Sequence, residues 1–259
     1  MPIDSIDQPE VMICLAPIWT EKNKTAKRLP QRIKTVLDVA KLKGFRSGEN
    51  PVSSLKDAGA LPKVKAKDKH HNAMGWKDAP AFYANLKTRN AMAAKAFKFT
   101  CLTRTRTSEV LGLRWEKLDF YKRPWTCPAQ RMKGGEDHRV RITDEMLAII
   151  EPLKAMRSEY VFEGQDRHKP MSHMPMMMLL RRMNVKDVTV HGFRSTFRDW
   201  ASEVANAPRE VVERSLAHAV ESNVERGCAR SDFLDKRRLL MERWSSFVAS
   251  RKDSAVKLA

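Results

Sequence analysis

The stretch His191-Gly192-Phe193-Arg194-Ser195-Thr196-Phe197-Arg198-Asp199-Trp200 decides how the rest of the chain is read, together with His218 in Leu216-Ala217-His218, 24 residues after Arg194. Residues three apart at the start of a helix share a face, so His191 and Arg194 are expected side by side. An imidazole and a guanidinium in that arrangement can hold one anionic oxygen and move one proton. Phosphoryl transfer on a nucleic acid needs both. Taken alone, the pair reads equally well as a polar helix start facing solvent, and it gains weight only from what stands elsewhere in the chain.

Upstream, Thr105-Arg106-Thr107-Ser108-Glu109 places Arg106 at a predicted helix start, with Glu109 three residues on to orient it. Lys133 falls at the tip of a predicted hairpin. Two arginines can clamp the non-bridging oxygens of a phosphodiester, where charge grows in the transition state. A lysine can protonate a leaving 5′-oxygen, and histidines can carry protons near neutral pH. Each residue taken singly is an ordinary surface charge; their order along the chain is the signal.

Composition points the same way. The 259 residues hold 49 Lys plus Arg against 31 Asp plus Glu, a formal charge of +18, which favours a polyanionic partner. Residues 21–70 carry 14 basic and 5 acidic side chains, half of that surplus in about a fifth of the chain. Cys14, Cys101, Cys127 and Cys228 form no C-x-x-C pair, which argues against a zinc site or a disulfide framework and suits a reducing cytosol. His70-His71 lies in a lysine-rich loop without partner ligands. There is no run of about 18 apolar residues and no signal-peptide pattern, so a cytoplasmic protein with no membrane partner is expected.

Periodicity predicts a short apolar helix near Pro9–Leu15 and a basic amphipathic helix over 21–43. In the latter, Ile33, Val36, Leu37 and Ala40 face a core, and Pro30 should kink or break the helix. Gly, Pro, Ser and lysine-rich text from residue 45 to 75 reads as a linker. Helices are then expected at Asp78–Thr88, Asn90–Leu102, Thr107–Leu113, Asp144–Met156, Met174–Met183, Arg194–Val204, Arg209–Leu216 and Asp232–Ala249. Strands are expected at Trp125–Pro128 and His138–Thr143 around a Gly134-Gly135 turn. The Met174–Met178 run reads as a packed core helix. The fold class is mainly α with a small antiparallel β-sheet.

The order Arg106, Lys133, His191-x-x-Arg194, His218 resembles the tyrosine recombinases, specifically the phage-type integrases of prophages and genomic islands. The likeness extends to Ile18–Lys22, Arg46–Pro51, Arg131-Met132-Lys133, His138-Arg139-Val140, Leu179–Met183 and Lys236–Glu242. It implies residues 1–50 as a partial helical core-binding (SAM-like) segment, 51–75 as a basic linker and 76–259 as a recombinase catalytic domain. It also implies DNA integration and recombination through a 3′-phosphoryl-enzyme intermediate without a cofactor. The partners implied are double-stranded DNA at an attachment core site and further copies of the chain, a tetramer on DNA formed through the C-terminal helix. Arg106, Lys133, His191, Arg194 and His218 would take the family's catalytic positions.

The family's nucleophile is a tyrosine about ten residues after the last histidine. Here the corresponding phrase is Glu225-Arg226-Gly227-Cys228-Ala229-Arg230-Ser231-Asp232, with Cys228 at the nucleophile position. The only tyrosines, Tyr83, Tyr121 and Tyr160, all precede His191. The resemblance further implies a missing arm-binding domain and a core-binding domain entered partway. An impaired recombinase is therefore the first expectation. A non-enzymatic DNA-binding remnant of an integrase is the alternative, and an unrelated basic helical DNA-binding protein the third reading.

Overall fold

A computed structural model of the protein describes residues 1–21, 23–57, 72–218 and 232–250. They fall into two compact units, divided between residues 57 and 72.

The first unit is three helices, α1 Gln8–Trp19, α2 Asn23–Leu42 and α3 Pro51–Asp57, each packed on the other two. Asp7 and Glu10 form a reciprocal capping box at the start of α1, with the Asp7 N–H donating to Glu10 Oε2 at 2.9 Å. The helix runs four residues beyond the expected Leu15. Val11, Leu15 and Trp19 meet Ala26, Val52 and Leu55 in a small core.

Two expectations about helix extent, and one about burial, need correction here. Helix α2 continues through Pro30, although an interior proline removes a backbone hydrogen bond at a cost of about 3 kcal/mol. Its buried stripe of Ala26, Pro30, Leu37 and Ala40, with Leu29 and Ile33 packed beside it, lies on both sides of the proline. Packing of that stripe outweighs local propensity. Val36, expected in the core, is exposed. The second correction of extent concerns residues 51–57, expected as linker, which are helix and part of this unit. Asn50 caps α3 by accepting the Val52 N–H on Oδ1 at 3.1 Å, and Pro51 occupies the first turn, where a missing N–H costs nothing. The buried Asn50 amide is itself held by the Lys34 carbonyl and Asp38 Oδ1, at 2.9 and 2.6 Å.

The second unit is built around α5 (Met92–Thr103), whose residues from Ala96 to Thr103 are all buried. Around it pack α4 (Ala79–Lys87), α6 (Thr107–Leu111), α7 (Asp144–Ile150), α8 (Met174–Arg182) and α11 (Leu234–Ala249). Helices α9 (Phe193–Glu203) and α10 (Arg209–Ser215) lie against α11. Strands β1 (Pro124–Cys127) and β2 (His138–Arg141) form a two-stranded antiparallel sheet pairing Trp125 with Val140 and Cys127 with His138. These inward positions are buried and alternate with more open ones, as strand periodicity requires. The Met run splits: Met176 is core, whereas Met174 and Met177 are exposed.

Helix α11 spends its apolar face within its own domain. Leu240, Met241, Trp244 and Val248 are buried, and Trp244 Nε1 donates to the Cys101 carbonyl of α5 at 2.9 Å. Its ring meets Trp200 at 5.1 Å and Phe197 edge-on at 5.4 Å. Of the apolar residues Phe233, Leu239, Leu240, Trp244 and Phe247, expected to supply a contact to a second copy, only Leu239 is exposed.

Candidate functional site

The buried helix α5 ends at Arg104, which adopts a left-handed conformation (φ 57°) and closes the helix by donating its N–H to the Thr100 carbonyl. That conformation is strained for a residue with a Cβ, at roughly 1–2 kcal/mol. Burial holds it: the Arg104 guanidinium lies 4.2 Å over the Phe197 ring. Two residues on, Arg106 opens α6. Its own N–H and Nη1 donate to the two oxygens of Glu109 at 2.8 and 2.7 Å, and Glu109 is 1% exposed. A buried carboxylate accepting a bidentate partner fixes the arginine in place. The orienting role expected of Glu109 is the one it has.

Helix α10 supplies the opposite wall through its C-terminus. The His218 N–H bonds back to the Glu213 carbonyl and the Ala217 N–H to Arg214, with Ala217 left-handed (φ 49°), a Schellman ending made without glycine. This turn presents the carbonyls of Leu216 and Ala217 on one side. Arg194 Nη2 donates to the first, and Arg106 Nη2 to the second at 3.3 Å. Arg194 Nη1 reaches the Arg104 carbonyl at 2.6 Å, and its Nη2 also meets His218 Nε2 at 2.9 Å. The structure thus brings Arg106, Arg194 and His218 together across 112 positions of sequence.

Charge in this cluster is dense, with Arg194 and Glu109 buried and Arg106 and His218 half-buried. Burial, then the neighbouring Arg106, pulls Arg194 down to about 10, so it stays cationic at neutral pH. His218 is lowered by burial, with Arg194 pushing the same way and its hydrogen bond to Glu213 opposing. Behind the site, buried His138 on β2 is lowered well below the ordinary histidine value, by burial and then by Arg237, Arg104, Arg194 and Arg106. Arg237 of α11, at about 10, donates to the Arg139 carbonyl and to the Asp232 carbonyl at 3.4 Å. Arg104 carried no sequence signal for this placement, and His138 and Arg237 stood in phrases that marked only the family likeness.

His191 stands apart from the expected arrangement. Helix α9 starts at Phe193, so His191 precedes it, and its carbonyl accepts the Arg194 N–H at 3.1 Å. The Arg194 side chain is buried, whereas His191 is exposed. It lines a cleft of about 760 Å³ together with Arg106, Thr107, Met177, Leu180 and Arg181. His191 and Arg106 therefore face the same space.

Lys133 is exposed on the loop between β1 and β2, and among the described residues it has no hydrogen bond or ion pair. Two residues earlier, Arg131 Nη1 donates to the Gly112 carbonyl and Nη2 to that of Ser108, tying this loop to α6. Gly112 makes the tie possible, since a Cβ there would lie 1.8 Å from Arg131 Nη2. Cys228 lies outside the described residues.

The turn before α9 is fixed by close contact with residues 72–74. A Cβ on Gly192 would lie 2.3 Å from the Asn72 carbonyl oxygen and 3.0 Å from Ala73 Cα. That segment cannot easily retreat, because the Thr189 N–H bonds Asn72 at 3.2 Å and the Thr196 hydroxyl bonds the Met74 carbonyl at 2.7 Å. Gly192→Ala is expected to destabilise the domain by about 1–3 kcal/mol through overpacking, read as a lower urea midpoint at unchanged slope. An unchanged midpoint would show that residues 72–74 yield freely.

The comparison with known proteins gives the family of this mainly helical domain and its cationic cluster. The chain belongs to the phage integrase family, whose pattern matches residues 73–230, while the phage integrase central domain matches residues 1–58. The prophage integrase IntA of Escherichia coli K12 is 30% identical over 241 residues, covering 91% of this chain and 57% of that protein. The integrase of Enterobacteria phage P4 is 30% identical over 258 residues, covering 92% and 58%. The chain thus spans somewhat more than half the length of these curated relatives. Among solved structures, a lambda integrase dimer bound to a COC′ core site superposes with a TM-score of 0.60 at 15% identity, over 90% of this chain and 82% of that one. At that identity the likeness concerns the fold. Among the described residues no helix is long and apolar enough to cross a membrane.

Proposed function

We propose that this chain is the DNA-binding and recombinase portion of a mobile-element integrase, acting in the cytoplasm on double-stranded DNA at an attachment core site, with strand transfer impaired at Cys228. The observation that carries this reading is the convergence of Arg106, Arg194 and His218 on one half-buried, cationic seat. Two guanidiniums from different helices suit the two non-bridging oxygens of a phosphodiester. In this reading His191 meets the same phosphate from the cleft, and Lys133, on its loop, protonates the leaving 5′-oxygen. No cofactor is required, because the charge that develops is met by fixed cations. Self-association on DNA into a tetramer remains part of the proposal. If helix α11 takes part, it does so through its outward face around Leu239, since its inner face is occupied.

Binding to duplex DNA, followed by fluorescence anisotropy against salt, tests the reading. Affinity is expected to fall by about 0.9 log units per log unit of salt for each phosphate contacted. Removing residues 1–70, which include the basic surplus, should flatten that slope. The second unit has its own core and keeps its clamp, so binding persists in that variant. A salt-independent affinity would overturn the assignment, and an unchanged slope after truncation would show that residues 21–70 do not touch DNA.

A further inference from the structure

Glu213 is a buried carboxylate to which no role has been given, and both its oxygens are engaged. Oε2 lies 2.6 Å from His218 Nδ1, and Oε1 forms an ion pair with Arg198, 2.9 Å from its Nη2. Arg198 sits one turn beyond Arg194 on α9, so the helix that carries the clamp also braces the carboxylate. The other imidazole nitrogen, Nε2, faces Arg194 Nη2 at 2.9 Å. An arginine N–H can only donate, so Nε2 accepts, and the proton of the neutral ring is on Nδ1, donated to Glu213. The Schellman turn at Ala217 sets this geometry, since His218 is bonded to Glu213 through its backbone N–H as well.

We infer that Glu213, braced by Arg198, is a positioning residue that holds His218 with Nε2 turned to the phosphate seat and serves as counter-charge to the imidazolium formed when a phosphate oxygen arrives. The inference rests on the phosphodiester-binding reading above. A phosphate oxygen takes up the Arg194 N–H that now meets Nε2, and Nε2 can bond that oxygen only after gaining a proton. The proton comes from solvent, and no bond other than N–H is made. The charged groups facing His218 are Arg194 of α9, Arg106 ahead of α6 and Glu213 of α10. The two arginines oppose the imidazolium; Glu213 and the incoming phosphate favour it. Burial lowers His218 in the free protein, so it enters the encounter neutral.

Two measurements on the full chain test this. With ¹⁵N-labelled histidine, two-bond correlation spectra at pH near 7.5 should show His218 as the Nδ1–H tautomer in the wild type. The signal is assigned by its loss in His218→Gln. In Glu213→Leu, where Arg194 alone still holds the ring, that preference should weaken. A wild-type His218 in the Nε2–H form would overturn the inference, and that result needs neither a variant that folds nor DNA. Calorimetry with a short mixed-sequence duplex, in two buffers of different ionisation heat, should show net proton uptake approaching about one per phosphate seated. Glu213→Gln should reduce that uptake, and Arg198→Gln, altered at an exposed position, should reduce it less. Binding with no proton uptake, or with uptake unchanged in Glu213→Gln, defeats the inference and leaves the DNA reading intact. Absence of any binding defeats the DNA reading, while the tautomer still decides the positioning role.

Discussion

Cys228→Tyr is expected to convert a chain that forms no covalent adduct with DNA into one that does. On a nicked suicide substrate carrying an attachment core, the wild type should give no protein–DNA band on a denaturing gel, and the variant should give a 3′-phosphotyrosyl product. In the proposed step the phenol gives its proton to solvent as its oxygen bonds phosphorus, the bond from phosphorus to the 5′-oxygen breaks, and the leaving oxygen takes a proton from Lys133. A thiol of reference pKa near 8.5 is nucleophilic enough in principle. Its sulfur, however, ends several bonds nearer the backbone than a phenolic oxygen. Misplacement by about 1 Å already costs roughly 100-fold, so the shorter side chain is expected to remove the chemistry. The described residues of the proposed site are already held in place: Arg106, Arg194 and His218 are fixed by Glu109, by two backbone carbonyls of one turn and by Glu213. An adduct in the wild type that maps to Cys228 would make this a cysteine recombinase. A silent Cys228→Tyr that still binds duplex DNA would place further damage outside the nucleophile.

The parts of the fold that the sequence disclosed are those where periodicity and local chemistry agree. The helices around α5, α9 and α11 lie within a few residues of their expected bounds, because their apolar spacing matches the faces they bury. The hairpin appears with its strands where alternation put them. Local rules failed at the first unit for two physical reasons. Packing on α1 and α3 overrode the proline in α2, and Asn50-Pro51 is a helix start whose composition imitates a linker. In the site, residues within motifs were legible, and the partners that hold them were mostly not. Glu109 could be paired with Arg106 because it lies three residues away in the same turn. Glu213 precedes His218 by five residues, a spacing that no helix face predicts, and only the Schellman turn brings the two side chains together. Arg104, His138 and Arg237 meet through tertiary packing alone.

Arg194 is where stability and function are expected to separate most clearly. Its side chain satisfies the Arg104 and Leu216 carbonyls and meets His218 Nε2, all in a buried setting. Arg194→Ala leaves those acceptors without their donor, and a buried unpaired group costs about 1–3 kcal/mol. Relief of repulsion from Arg106 and Arg104 offsets part of this, so a net loss of about 3 kcal/mol is expected from the urea midpoint. Arg194→Lys isolates the functional term. An ammonium keeps the charge but cannot bridge two divergent carbonyls and also face a phosphate, because it lacks the planar fork. Its stability loss should be the smaller of the two. In the Cys228→Tyr background its rate of adduct formation should nonetheless fall by about 100- to 1,000-fold, the usual effect of removing one donor to a developing oxyanion. Duplex affinity should weaken far less, since many other cations share the backbone contacts. If Arg194→Lys forms adduct as fast as its parent, the phosphate is held by Arg106 without it, and the two-arginine clamp is wrong.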